Sequence, residues 1–268
     1  MITLYHHQTS VCAAKSRLAL DEKGVAWDGQ LIRLRASEQH KAEYRALNPF
    51  GQVPVLIHNE KVIADSNVIN EYVDEAFDGP RLSPATPEGR ARMRFWTRQL
   101  DDSIHPALGV LMTAVAYRHQ DGHREQITRQ VDPFKKNRKT RSVEDGIDTP
   151  HLRMALQRFD LLLDHIEEAL GGNGPGRACA GGGPDWLAGD YSLADLDLTP
   201  YITRLDLLGL GAMWDRRPRV AGWLERLKAR PSHRRAITDW YGVDPGWLPL
   251  LRETSAEARP ALLAMIEV

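Results

Sequence analysis

Cysteine is scarce in this chain: 268 residues contain two, Cys12 and Cys179. Two thiols so far apart build no disulfide framework, and the count suits a reducing compartment. An excess of charge of either sign is also lacking. Thirty-five Lys and Arg stand against 36 Asp and Glu, a net of −1, so nothing draws the whole chain toward nucleic acid or an anionic membrane. No apolar run reaches the roughly 18 residues that cross a bilayer. The opening MITLYHHQTS lacks the basic-then-apolar pattern of a signal peptide and reads as a strand. These absences predict a cytoplasmic protein with no nucleic-acid and no membrane partner. What is present is a hydrophobic content of 42%, enough for a real core, in a length that suits one large or two modest domains.

The pattern changes once along the chain. Ile2 to His6 reads as a short strand, and residues 11–23 as a helix ended by Gly24. Ala26 to Leu34 reads as a second strand. Ser37 to Leu47 reads as a helix, with Ser37 as its cap and Asn48-Pro49 as its stop. Val53 to His58 and Lys61 to Ala64 make a hairpin around Asn59-Glu60, and Ser66 to Phe77 is a helix. This βαβ then ββα order is a thioredoxin-like topology.

The proline-rich stretch from Asp78 to Pro87 reads as a linker, and everything after it reads as helix. Residues 88–120 predict one long helix bent at Pro106. Residues 121–148 form an insertion with seven Lys or Arg between Arg124 and Arg141. Thr149-Pro150 opens a helix to Leu170, and 171–184 is a flexible glycine-rich loop. Ser192-Leu193-Ala194-Asp195 resembles a capping box at the head of a buried helix that contains Pro200. Shorter helices follow at 217–229 and 232–241, and 243–268 is a tail with room for a terminal helix. The expected class is α+β: a thioredoxin-like domain over 1–80 and an all-helical domain over 87–268.

Three short motifs carry chemistry: Ser10-Val11-Cys12, Asn48-Pro49-Phe50-Gly51-Gln52-Val53-Pro54 and Asp65-Ser66. Each alone has a bland reading, as a helix cap, a strand start and another cap. In this order, with Ser192 to Asp195 behind them, they resemble the glutathione transferase family. The resemblance implies glutathione as cosubstrate and a cis Val53-Pro54 bond, with the Val53 backbone pairing to the cysteinyl part of the tripeptide. It implies that Asp65 and Ser66 bind the γ-glutamyl end, whose carboxylate suits the unpaired N–H groups of the helix amino terminus they open. Gln52 and either Gln39 or His40 are candidates for the glycyl end. Lys15 and Arg17 read as a solvated helix face.

At the chemistry itself, Ser10 has no base nearby in sequence. Its expected role is to donate a hydrogen bond to the glutathione sulfur and favour the thiolate. Cys12 keeps two readings open: a low-pKa thiol, or a small buried hydrophobe. The second substrate is expected between the halves, against His7, Trp96, His105, Met112, Tyr117, Trp240 and Tyr241. His6-His7 has no further ligand at metal spacing, so no metal is expected. The family also implies a homodimer, two-fold pairing being the commonest closed arrangement.

Within the family, Glu38-Gln39-His40, Arg92 to Thr97 and the insertion look similar to the bacterial β-aryl-etherase branch. That branch resembles Gly-Ala-Asn-Ser where this chain has Ser10-Val11-Cys12-Ala13. Ser-x-Cys looks more like the reductive dehalogenase and maleylacetoacetate isomerase types. The expected reaction is attack of glutathione thiolate on a hydrophobic, aromatic electrophile, with β-aryl ether cleavage foremost. The alternatives are Cys12-dependent dehalogenation or cis-trans isomerisation, and a non-catalytic ligand-binding protein on the same fold.

Overall fold

The computed structural model describes residues 1–172 and 183–266. The loop expected at 171–184, and Cys179 with it, therefore lies almost wholly outside the described residues. The first elements are β1 (Ile2–His6), α1 (Val11–Glu22), β2 (Asp28–Leu31), α2 (Ala42–Leu47), β3 (Val55–His58), β4 (Lys61–Ala64) and α3 (Ser66–Ala76). The sheet order is β2-β1-β3-β4. β1 runs parallel to β2, which requires the α1 crossover, and antiparallel to β3, which pairs antiparallel with β4. Leu4 faces Leu56 across the ladder, and both are fully buried. Asn59 and Glu60 take positive φ at 47° and 67°, the handedness a two-residue hairpin turn needs. This is the thioredoxin-like half.

Two local expectations need correction. Residues 37–47 are not one helix. Single 3₁₀ turns at Leu34–Ala36 and Glu38–His40 precede a short α2. Ser37 sits at φ 56°, left-handed, and its side chain makes no cap bond. An N-cap needs extended backbone, so Ser37 separates two turns instead of opening a helix. The second strand is also shorter than expected, because β2 is a four-residue edge strand with every residue exposed.

Beyond the linker come α4 (Pro87–Gln99), α5 (His105–Val115), α6 (His123–Thr128), α7 (Pro133–Asp145), α8 (Pro150–Leu170), α9 (Leu193–Leu207), α10 (Pro218–Ala229), α11 (Pro231–Ala236) and α12 (Trp247–Ile266). The long helix expected over 88–120 is interrupted by a π-helical turn at Leu100–Ile104. Pro106 lacks an N–H and its ring crowds the carbonyl four residues back, at Asp102, so the ladder widens there. The insertion is helical: Asp132 caps α7 by accepting from the N–H groups of Phe134 and Lys135 at 2.9 and 3.1 Å. The tail is mostly α12, which packs on α8.

The capping box is present. Asp195 accepts from the Ser192 N–H at 3.2 Å, and Ser192 Oγ accepts from the Ala194 N–H at 3.3 Å. Asp195 is fully buried and also accepts from the Leu187 N–H and Trp223 Nε1 at 3.0 and 2.9 Å. It ties the head of α9 to the preceding loop and to α10, and α9 in turn packs on α1, which also packs on α3 and α11. No helix of the described residues is long and apolar enough to cross a membrane.

Candidate active site

The site gathers around the head of α1. Ser10 caps this helix with extended backbone, and its Oγ accepts from the Ala13 N–H at 3.2 Å. An accepting hydroxyl still has its own proton to donate, and the helix start adds a field that favours an anion. The Thr9 carbonyl just before it is held by Arg204 Nη2 at 2.8 Å, so a buried α9 side chain fixes the turn.

The cradle beside it is built from 48–54. Val53-Pro54 is cis. The Gln52 carbonyl accepts from Tyr44 OH at 2.7 Å and Asn48 Nδ2 at 3.0 Å, while Asn48 Oδ1 accepts from the Phe50 N–H at 3.0 Å. Gly51 sits at φ 61°, and a Cβ there would lie 2.8 Å from the Gln39 carbonyl and 2.9 Å from His40 Nδ1. Only glycine fits both the conformation and the space. The Gln52 side chain is exposed, His40 is half-buried, and Gln39 is buried.

Asp65 caps α3 from an uncommon positive φ of 77°, accepting from the Asn67 and Val68 N–H groups at 2.8 and 3.3 Å. A non-glycine residue held there is strained backbone, which concentrates at functional sites. Ser66 is buried, and Lys15 Nζ donates to its Oγ at 3.1 Å. Lys15 and Arg17 thus do not form a solvated face: both are buried, at 0% and 2% exposure. Helix α1 is covered on nearly every side, so its amphipathic reading fails. Lys15 also donates to Asn67 Oδ1 and lies 3.6 Å from Asp197 Oδ2, and Asn70 Nδ2 donates to Asp197 at 2.6 Å. Arg17 donates from Nε to the Ala236 carbonyl at 2.8 Å and stacks on Trp240.

On the other side of Ser10, the partly exposed Cys12 meets the second domain. Its Sγ lies 3.5 Å from His105 Nδ1 and 3.7 Å from Tyr201 OH, and those two atoms are 3.2 Å apart. Burial alone pushes the thiol up. The charge and hydrogen bond of His105, the charge of Lys15 and the hydrogen bond of Tyr201 outweigh it and bring Cys12 down to about 7. Burial and the neighbouring Cys12 raise the Tyr201 phenol well above its usual value, so it stays a donor.

The expected second-substrate wall is only partly there. His105 and Tyr117 are partly exposed, and Tyr117 OH accepts from Arg204 Nη1 at 3.3 Å. Trp96 and Met112 are core, at 0% and 2% exposure, so neither presents a surface to a ligand. His7 is buried, with Nδ1 3.2 Å from Thr9 Oγ1. Trp240 packs on His6 and Trp27, and Tyr241 on Trp247. Packing explains each departure: a large side chain covered by neighbouring elements turns toward them and not toward a ligand. Lys15, Tyr201, Arg204 and Asp197 were missed as site residues. The last three recur at 197, 201 and 204 on one face of α9, a polar stripe in a helix otherwise read as apolar, and that spacing was the available signal.

Comparison with known proteins follows the same lines. The pattern described as Glutathione S-transferase, N-terminal domain matches residues 1–75, and its C-terminal domain counterpart matches 123–226. The chain belongs to the glutathione S-transferase family, and glutathione is the cosubstrate that comes with it. It is similar to Protein LigF of Sphingobium sp. (strain NBRC 103272 / SYK-6), 28% identical over 86% of this chain and 91% of that protein. The structure of that organism's beta-etherase LigF superposes with a TM-score of 0.74, covering 91% of this chain and 99% of that one at 26% identity. The tetrachloro-p-hydroquinone reductive dehalogenase of Sphingobium chlorophenolicum is 26% identical over 90% of this chain and 98% of that protein. A maleylacetoacetate isomerase from Methylobacterium extorquens AM1, solved with malonate and glutathione bound, matches with a TM-score of 0.63 and 25% identity over 87% of this chain and 95% of that one.

Proposed function

We propose that the protein is a cytoplasmic enzyme in which glutathione thiolate attacks a hydrophobic aromatic electrophile, with a β-aryl ether as the preferred substrate class. Domain 1–80 holds the tripeptide, and domain 87–268 supplies the hydrophobic side. Val53 pairs with its cysteinyl backbone, and Asp65 and Ser66 bind the γ-glutamyl end, whose carboxylate accepts from the Ser66 hydroxyl above the buried Lys15. Ser10 donates its hydroxyl proton to the sulfur. The thiolate attacks the ether-bearing carbon, the C–O bond breaks, phenolate leaves and a thioether forms. The observation that carries this reading is the Ser10 hydroxyl, which has its acceptor side engaged by α1 and its proton available at the helix head. The similarity to a beta-etherase over most of both chains supports the ether class.

The test is phenol release from a β-aryl ether with a chromogenic leaving group. One phenol should appear per glutathione consumed. Turnover of haloaromatics with none of aryl ethers would transfer the assignment to a second reading. That reading has its own support, the Cys12–His105–Tyr201 triangle: Cys12 would do thiol chemistry, as in a reductive dehalogenase or isomerase.

We further propose a homodimer that joins the first domain of one copy to the second domain of the other. Phe50 and Val68 of the first domain and Phe95 of the second are exposed apolar side chains at 68%, 55% and 37%, and such side chains mark an association surface where they gather into a contiguous patch. Light scattering should give twice the 30.2 kDa chain mass, and Phe50→Asp should shift the protein toward monomer. A monomeric wild type at micromolar concentration would sink the dimer.

A further inference from the structure

The turn that leads into Ser10 is held by two buried cations from different elements. Arg17 of α1 donates from Nη1 to the His7 carbonyl at 3.3 Å and from Nη2 to the Gln8 carbonyl at 3.1 Å. Arg204 of α9 donates from Nη2 to the Thr9 carbonyl at 2.8 Å. Three successive carbonyls thus each take a guanidinium N–H. Both arginines are almost inaccessible, at 2% and 3% exposure, and neither forms an ion pair among the described residues. The other partners of Arg17 are the Ala236 carbonyl and the His6 ring, with Trp240 stacked on it. Those of Arg204 are the Tyr117 hydroxyl, the Met112 sulfur and the face of Trp247, and its Nε is buried without a partner.

The side chains around this turn do not supply the missing negative charge. Asp244 pairs with Arg35. Burial pushes the Tyr241 phenol up against the pull of Arg204 and Arg17, so it is neutral at pH 7. Burial first, and then charges that include Arg17, bring His6 and His7 down to about 3 and 4; Arg35 and Arg204 also act on His7. These imidazoles are therefore neutral and register a positive field. A neutral donor could hold a carbonyl as well, and a buried charge without a counterion costs far more than such a donor. One anion of the reaction forms at the end of this turn: the sulfur that accepts the Ser10 hydrogen bond. We propose that Arg204, with Arg17, is the fixed countercharge of the glutathione thiolate. Arg204 is a positioning residue that holds the Thr9 carbonyl and lowers the pKa of the bound thiol through an interior that screens weakly. The inference rests on the glutathione reading above. It makes thiolate formation depend on the second domain, because α9 brings the charge to a turn of the first.

The experiment titrates the thiolate absorbance of glutathione bound to the whole chain with no second substrate present, so that a charge on that substrate cannot enter. Arg204→Gln keeps a donor for the Thr9 carbonyl and removes the charge, while Arg204→Lys keeps the charge. Arg204→Gln should raise the apparent pKa of bound glutathione by about one, the effect of a unit charge roughly 10 Å away in a weakly polar interior. Arg204→Lys should stay close to the wild-type value. S-methylglutathione, which has no thiol to ionise, should bind all three proteins equally. Should Arg204→Gln not fold, Arg204→Met, which refills apolar space beside Met112 and Trp247, carries the same comparison. An unchanged pKa in the charge-free variant, or an equal rise in both variants, overturns the inference and leaves the glutathione reading standing. A wild type that does not bind S-methylglutathione overturns both.

Discussion

Lys15→Met is expected to destabilise the protein by about 3–5 kcal/mol at neutral pH, the range for breaking a buried ion pair by removing one partner. Lys15 and Asp197 are buried at 0% and 1% exposure with their charges 3.6 Å apart. Methionine fills similar volume, so the loss comes from the carboxylate left behind. The pH dependence identifies it. Burial raises Asp197 from 3.8 to about 6 against the pull of Lys15. The folded protein thus holds a proton that the unfolded chain has released, and this contribution is full below pH 4 and lost as pH rises through 6. Without Lys15 the folded carboxyl titrates higher still. The deficit of the variant should therefore be largest at pH 8 and small at pH 5, where Asp197 is mostly protonated in both proteins. Adding Asp197→Asn to the variant should recover most of the loss. Urea unfolding at the two pH values reads this directly, and equal deficits would mean that packing, not charge, was lost.

Ser10→Ala is expected to lower glutathione turnover by about ten- to a hundredfold, the worth of one hydrogen bond to a developing anion. The apparent pKa of bound glutathione should rise with it. Loss of the α1 cap should cost about 1 kcal/mol of stability besides. Cys12→Ala should leave the same turnover within a few-fold. The reverse outcome, with Cys12→Ala inactive and Ser10→Ala active, would install the Cys12 chemistry instead. The thiol can be followed by itself. Alkylation of Cys12 by iodoacetamide should show a midpoint near pH 7, since thiolate is the reacting form. His105→Ala removes the two largest effects that lower it and should move the midpoint well up. A wild-type midpoint near 9 would mean that the triangle with Tyr201 does not act on the sulfur.

Much of the first domain was legible because its signals are local. Strand alternation, the Val53-Pro54 step and the Ser192 to Asp195 box each fit within a few residues. Their physical causes, ring closure at proline and unpaired N–H groups at a helix start, operate at that range. The burial of Lys15 and Arg17 was not legible. A charged residue at helical spacing is ordinarily solvated, and only the packing of α3, α9 and α11 around α1 reverses that. The pocket wall failed for the same reason. An aromatic in the sequence carries no record of whether a second helix covers it, as happens to Trp96.

By its sequence alone this protein is a thioredoxin-like half joined to a helical half, with Ser10 at the head of α1, Val53 before the cis proline, and Asp65 and Ser66 at the head of α3. Those features depend on backbone conformations set by neighbours in the chain. The tertiary structure decided which side chains complete the site. Cys12 meets His105 and Tyr201 across 93 and 189 residues, and Lys15 reaches Ser66 across 51. Contacts at such separations exist only once the helices pack. The hydrogen bonds and charges that tune the thiol and the buried carboxyl come from the desolvated interface between the two halves, and no stretch of sequence encodes that interface locally.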